Sequence, residues 1–154
     1  MNGLLSIQRL IETIRVVLGD KRMSYNWVDE RLAVGDIHVG RFTVRQQMQK
    51  ENVDHVMDIR LYFTQEREKD LEGEMPTEKL ISAIYRVCQL MADDNRVIVH
   101  CYGGIDRSPF FAAATIAIYN NVDIDIAYER VQTRRPQTIY HPEWIKWFRE
   151  NYHA

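Results

Sequence analysis

The sequence predicts an α/β protein, a three-layer sandwich whose mostly parallel central sheet is flanked by helices. Three observations point there. Short β-branched runs such as "RVIVH" alternate with amphipathic stretches of helical period. The clearest strand, residues 96–100, holds the unbroken apolar run Val97–Val99, as expected when helices cover both sheet faces. The chain of 154 residues fits one domain and can bury a substantial core. No repeat, low-complexity tract or linker divides it, so residues 1–154 read as a single domain.

The elements follow in order. In "LLSIQRLIETIRVVLG", Leu4, Ile7, Leu10, Ile11, Ile14, Val17 and Leu18 recur at helical spacing, and Gly19 is a natural stop. Residues 1–19 are therefore expected to form an amphipathic helix packed on or appended to the domain. "YNWVDERLAVGDIHVGR" reads as short strands with turns at Asp29-Glu30 and Gly35-Asp36. A helix through 43–52 and a buried strand over 53–60 come next, then a charged loop over 63–78. A second amphipathic helix spans 78–94, with Leu80, Ile81, Ile84, Val87, Cys88 and Met91 along one side. An apolar helix over 108–121 has Pro109 in its first turn. Asp123 is a fitting N-cap for the helix over 123–135, and Pro142 opens a last one over 141–152.

Composition excludes some classes. The net charge of -2 offers no global attraction for nucleic acid or acidic membranes. Two cysteines, Cys88 and Cys101, do not make a disulfide scaffold. With no signal-peptide pattern and no apolar run of ~20 residues, a cytoplasmic location without a transmembrane segment is expected.

The segment "HCYGGIDRSP", His100 to Pro109, joins the buried strand to the apolar helix. Loop amides there can converge into an anion nest, and the helix N-terminus adds its positive end. Gly103 and Gly104 permit close backbone approach. A thiol in that setting titrates well below its ordinary ~8.5, in the range ~3.5–7.5, so Cys101 is expected to be a thiolate nucleophile. Arg107 can clamp two phosphoryl oxygens with its planar fork. Ser108 can donate to the sulfur and help it leave.

This run resembles the signature of the cysteine-dependent protein tyrosine phosphatase superfamily, H-C-x-x-G-x-x-R-[S/T]. His100, Cys101, Gly104, Arg107 and Ser108 meet every fixed position. "HVMDIR" ahead of "VIVHC", and "RRPQTIYHPEWIKWF" after the site, are similar to the compact dual-specificity branch, over roughly residues 25 to 150. The resemblance implies a dual-specificity-phosphatase-like fold and two-step phosphoryl transfer through a phosphocysteine. It implies no metal and no cofactor. Tyr102, Gly103, Gly104, Ile105, Asp106 and Arg107 would form the phosphate-binding loop, and His100 would support it.

The family supplies a general acid from a loop about thirty residues before the cysteine, which falls on Asp70. The stretch leading to it is heavily charged where the family carries an apolar strand, and Glu72 stands close by. Asp106, inside the loop, is an alternative acid, and Asp58 a third carboxylate. Relatives position the hydrolytic water from the C-terminal segment, where Gln137 and His141 lie. Arg134 and Arg135 either attract acidic peptides or close the helix before Pro136. Cys88 reads as core, with trapping of an oxidised Cys101 as a minor reading.

The loop carries no lysine, which favours a phosphorylated protein or peptide, through phosphotyrosine and possibly phosphoserine or phosphothreonine. Alternatives keep the chemistry on a phosphoinositide, a nucleotide or an RNA 5′-phosphate, or retain only phosphate binding. The sequence does not fix the oligomeric state.

Overall fold

The computed structural model describes residues 24–64 and 75–152. The expected N-terminal helix over 1–19 lies outside them, as do Asp70 and Glu72. Four strands make one mixed sheet in the order β1-β2-β4-β3. Strands β1 (Tyr25–Asp29) and β2 (Leu32–Gly35) form an antiparallel hairpin. Asp29 tightens its turn by accepting from the Glu30 N–H at 2.6 Å. Strands β3 (His55–Asp58) and β4 (Val97–His100) run parallel to each other, and β2 runs parallel to β4. The expected mostly parallel sheet is therefore present, with an antiparallel strand along one edge.

Register is what places the site. Gly35 and Asp58 both pair with His100, so three strand ends lie abreast at the C-terminal edge of the sheet. The pairing runs one residue further on each side. Ile59 N–H donates to the His100 carbonyl at 3.0 Å, and Cys101 N–H reaches the Gly35 carbonyl at 3.4 Å.

Side chains alternate across the sheet. Ala33 and Ile98 face helix α1 (Phe42–Lys50), packing with Val44, Met48, Tyr25 and Val39. Leu32, Val34, Val97 and Val99 face the opposite layer. That layer holds α2 (Lys79–Ala92), α3 (Arg107–Asn120), α4 (Ile124–Arg134) and α5 (Pro142–Asn151). Helix α3 is buried from Ser108 to Ala117, as a helix apolar on all sides must be. Phe63 and Phe110 pack against Trp144 in tilted and edge-to-face arrangements at 5.1 and 5.6 Å, tying α5 to α3. Asp123 caps α4 by accepting from Asp125 N–H at 2.9 Å, and Pro142 stands in the first turn of α5.

One expectation fails. The 53–60 segment is not a buried strand: β3 is an edge strand whose His55 and Val56 are exposed. Its apolar residues suggested coverage on both faces, but strand order, which sequence patterning does not reveal, puts it at the margin. The charged 63–78 segment begins and ends in a narrow neck. Phe63 bridges Pro76, Thr64 N–H donates to the Met75 carbonyl at 2.9 Å, and Thr77 N–H donates to the Tyr62 carbonyl at 2.8 Å. Among the described residues no helix is long and apolar enough to cross a membrane.

Candidate active site

Cys101 leaves β4 at the sheet edge and sits beneath a loop that ends at α3. Its side chain is 1% exposed. Three groups converge on Sγ: the Gly104 N–H at 3.3 Å, the Ser108 N–H at 3.4 Å and the Ser108 hydroxyl at 3.2 Å. The Ser108 N–H belongs to the first turn of α3, where backbone donors have no intrahelical acceptor. The two amides donate to the sulfur, and such donors stabilise negative charge that develops on it. The Ser108 hydroxyl also lies 3.2 Å from the Gly35 carbonyl. It has a single proton, so it donates either to Gly35 or to the sulfur. When negative charge sits on Sγ, that proton belongs on the sulfur side.

The loop backbone is tied outward at three carbonyls. Tyr102 O accepts from Ile37 N–H at 2.9 Å, Gly104 O from Arg135 Nε at 2.6 Å, and Ile105 O from Ile139 N–H at 2.8 Å. The described peptides contain no cis bond. In a trans peptide the N–H points opposite to the C=O. Anchoring these carbonyls outward therefore turns the N–H groups of Gly103, Ile105 and Asp106 inward, the arrangement that makes an anion nest. Gly104 takes φ +65, the left-handed region glycine occupies without penalty.

Around this cradle stand further charged groups. Asp58 and Arg60 form a fork, with Nε and Nη2 donating to the carboxylate at 2.6–3.0 Å. Burial alone would raise the Asp58 carboxyl, but the hydrogen bonds from Arg60 outweigh it and hold the group below its ordinary range. That fork raises the Arg60 pKa, and the charge of Cys101 adds to the effect. His100 is pushed below its ordinary value by burial, against the pull of Asp58, so its ring is neutral at pH 7. Its Nδ1 lies 3.5 Å from the Cys101 carbonyl, a contact that steadies the loop base.

Asp106 and His141, singled out for different tasks, meet. His141 Nε2 lies 2.6 Å from Asp106 Oδ1, and the imidazole stacks on Trp144 at 3.8 Å. His141 occupies the N-cap position of α5 but its side chain makes no cap bond; Asp106 likewise leaves α3 uncapped. Gln137 does not join them: its amide atoms are buried without a hydrogen-bond partner among the described residues. Tyr102 is 65% exposed at the rim. Tyr140 is turned away, its hydroxyl donating to Asp125 at 2.8 Å.

Arg107 opens α3 at the loop's end. The double arginine divides. Arg134 is exposed, whereas Arg135 is completely buried under the loop, so Arg135 is not an exposed peptide attractant; it does close the helix, as its C-cap before Pro136. Cys88 packs against the core and donates to the Thr115 carbonyl at 3.8 Å; burial pushes its thiol up to about 11. Sequence reasoning read Gly35-Asp36 only as a turn, not as part of the site. "VGD" carries a turn signal, but only the parallel register brings it under Cys101. Among the described residues no three histidine, cysteine or acidic side chains converge on a candidate metal site.

A family model described as "Dual specificity phosphatase, catalytic domain" matches residues 38–154. No curated protein matches the sequence. Among solved structures, a human tyrosine phosphatase-like serine/threonine/tyrosine-interacting protein is 14% identical with TM-score 0.64, covering 82% of this chain and 93% of its own. A leucine rich repeat and phosphatase domain containing protein from Entamoeba histolytica is 13% identical at TM-score 0.65, covering 83% and 90%. PTPMT1 in complex with PI(5)P is 20% identical at TM-score 0.67, covering 83% and 94%. At these identities the likeness is one of fold.

Proposed function

The chain belongs to the dual specificity phosphatase catalytic-domain family and is a cysteine-dependent phosphatase; on that premise we propose that it dephosphorylates phosphoproteins through a phosphocysteine on Cys101. The observation that carries this reading is the Cys101 sulfur held by Gly104 and Ser108 donors beneath inward-turned loop amides.

In the first step Sγ attacks phosphorus in line, the bond from phosphorus to the leaving oxygen breaks, and that oxygen takes a proton. Loop amides and Arg107 stabilise the three equatorial oxygens, most strongly in the transition state. In the second step water attacks, the S–P bond breaks, and Ser108 donates to the departing sulfur. His100, neutral and at the loop base, keeps the cradle in register.

The leaving-group proton is assigned to the Asp106–His141 pair. The 2.6 Å contact lets one proton be held between imidazole and carboxylate, next to the cradle. The same pair then accepts a proton from the attacking water, so Gln137 is not needed for it. Asp70 lies outside the described residues and competes by its place in the family pattern. The pH profiles separate them. A general acid works only while protonated, so its loss removes the fall of kcat on the basic side. We expect Asp106→Asn and His141→Ala to lose ~10²-fold in kcat and to flatten that limb, with Asp70→Asn retaining it. Flattening in Asp70→Asn alone would move the acid to the 63–78 loop.

Substrate class rests on two features. The loop carries no lysine, and exposed Tyr102 offers an aromatic wall at the rim. Both fit a phosphopeptide side chain better than a polyphosphorylated headgroup. A second reading, a phosphoinositide, is favoured by the similar PTPMT1 structure with PI(5)P. With chelator present, kcat/KM should be at least tenfold higher on phosphotyrosyl peptides than on PI(5)P in mixed vesicles. The reverse ranking would establish the lipid reading.

A further inference from the structure

A buried polar cluster lies behind the cradle and takes no part in the steps above. Arg135 is fully buried at the C-terminal end of α4. Its Nε donates to the Gly104 carbonyl at 2.6 Å, and its Nη1 donates to Asn26 Oδ1 at 2.7 Å on β1. Buried Asp36 follows the last residue of β2. One Asp36 oxygen accepts from the His38 N–H at 2.8 Å; the other is buried without a hydrogen-bond partner among the described residues. The charges of Asp36 and Arg135 act on each other across this layer.

A buried arginine is costly, because desolvation of its charge must be offset. Here burial pushes the guanidinium down to about 10, against the pull of Asp36 and of Cys101 itself. It nevertheless stays charged at neutral pH. One of its hydrogen bonds, at 2.6 Å, goes to one particular loop carbonyl. That carbonyl belongs to the peptide whose N–H is Ile105's. Were the peptide to rotate, the Ile105 N–H would leave the cradle and a carbonyl oxygen would face the phosphate. The neighbouring carbonyls of Tyr102 and Ile105 are held by backbone donors; Gly104 alone, with its permissive φ, is held by a side chain.

We propose that Arg135 is a positioning residue for phosphoryl transfer: from inside the core it locks the Gly104–Ile105 peptide so that Ile105 N–H faces the transferring phosphoryl group. The inference rests on the phosphatase reading. A cradle amide acts most strongly on the pentacoordinate state, and losing one such donor lowers kcat by about 10²–10³-fold. The lock therefore works on kcat, and on affinity for a trigonal-bipyramidal mimic, more than on KM.

Two variants test it. Arg135→Lys keeps a buried cation opposite Asp36 but loses the Nε donor and its fixed geometry. The double variant Arg135→Met/Asp36→Asn removes both charges together, so neither is stranded, while Asn retains the cap on His38. Each is assayed on an aryl phosphate with chelator, well below its own unfolding midpoint by circular dichroism. We expect kcat to fall about tenfold in Arg135→Lys and about a hundredfold in the double variant. The orthovanadate inhibition constant should rise in proportion, and KM should change less than threefold. A merely structural role would lower the unfolding midpoint and leave vanadate inhibition of the folded fraction as in wild type. Either folded variant with kcat and vanadate inhibition within threefold of wild type overturns the inference while the phosphatase reading stands. An inactive wild type would sink both.

Discussion

Cys101→Ser should lose at least ~10⁴-fold in turnover on any substrate the protein accepts, while still binding it. The argument starts from the sulfur's surroundings. Among the described residues the Gly104 and Ser108 amides donate to Sγ, and the Ser108 hydroxyl lies 3.2 Å from it. Such donors stabilise negative charge that develops on the sulfur during the reaction. A serine hydroxyl at the same point can accept the same bonds, but it keeps its proton at neutral pH and there is no nucleophile. The cradle does not depend on the sulfur, because its carbonyls are anchored by Ile37, Arg135 and Ile139. Phosphopeptide affinity measured by calorimetry should therefore stay within tenfold of wild type. Acid quenching of wild type in mid-turnover should trap a phosphoryl group on Cys101, located by peptide mass spectrometry. Cys88→Ala is the control and should leave the trapped species unchanged, since that thiol is held protonated among core residues. A Cys101→Ser protein retaining one-hundredth of wild-type activity would exclude the phosphocysteine route.

Much of this was legible in the sequence because the chemistry is local. The strand, the glycine-bearing loop, the arginine and the helix start are contiguous from Val97 to Pro109. The nest geometry follows from that one segment, and the fold class follows from its neighbours' periodicity. What escaped depends on where distant segments meet. Asp106 and His141 stood out separately, as acid and as water-holder; only the return of the chain into α5 makes them a 2.6 Å pair. Arg135 precedes a proline at a helix end, where arginine is ordinarily solvated. Nothing local says that α4 points its last turn under the loop. Asp36 follows β2 in a stretch that reads as a turn, and its burial comes from the Gly35–His100 register. The exposure of β3 has the same origin, since strand order decides which apolar run lies at the edge.

Gly104→Ala should be the most damaging substitution in the loop that leaves all reacting groups chemically intact. A Cβ built on Gly104 would lie 2.5 Å from Arg135 Nη2, 2.8 Å from the Gly35 carbonyl oxygen and 3.0 Å from its carbon. Two of those atoms are backbone of β2, held in the sheet by its register with β4, and the third belongs to a buried side chain. None can retreat cheaply. The φ of +65 adds strain of about 1–2 kcal/mol for any L side chain, and overpacking about 1–3 kcal/mol more. The loop escapes by turning the peptides on either side of Gly104. That swings the Gly104 N–H off Sγ and the Gly104 carbonyl off Arg135, undoing both bonds together. Thermal unfolding should show a loss of about 2–5 kcal/mol, and kcat should drop by at least ~10²-fold. Gly103 is the internal comparison. Its added Cβ would meet nothing closer than Ile105 Cγ1 at 3.6 Å, an ordinary contact. Gly103→Ala should accordingly cost less than tenfold in kcat and little stability. If the two alanine variants behave alike, the cradle is not held by close contact of Gly104 with Gly35 and Arg135, and its rigidity must come from elsewhere.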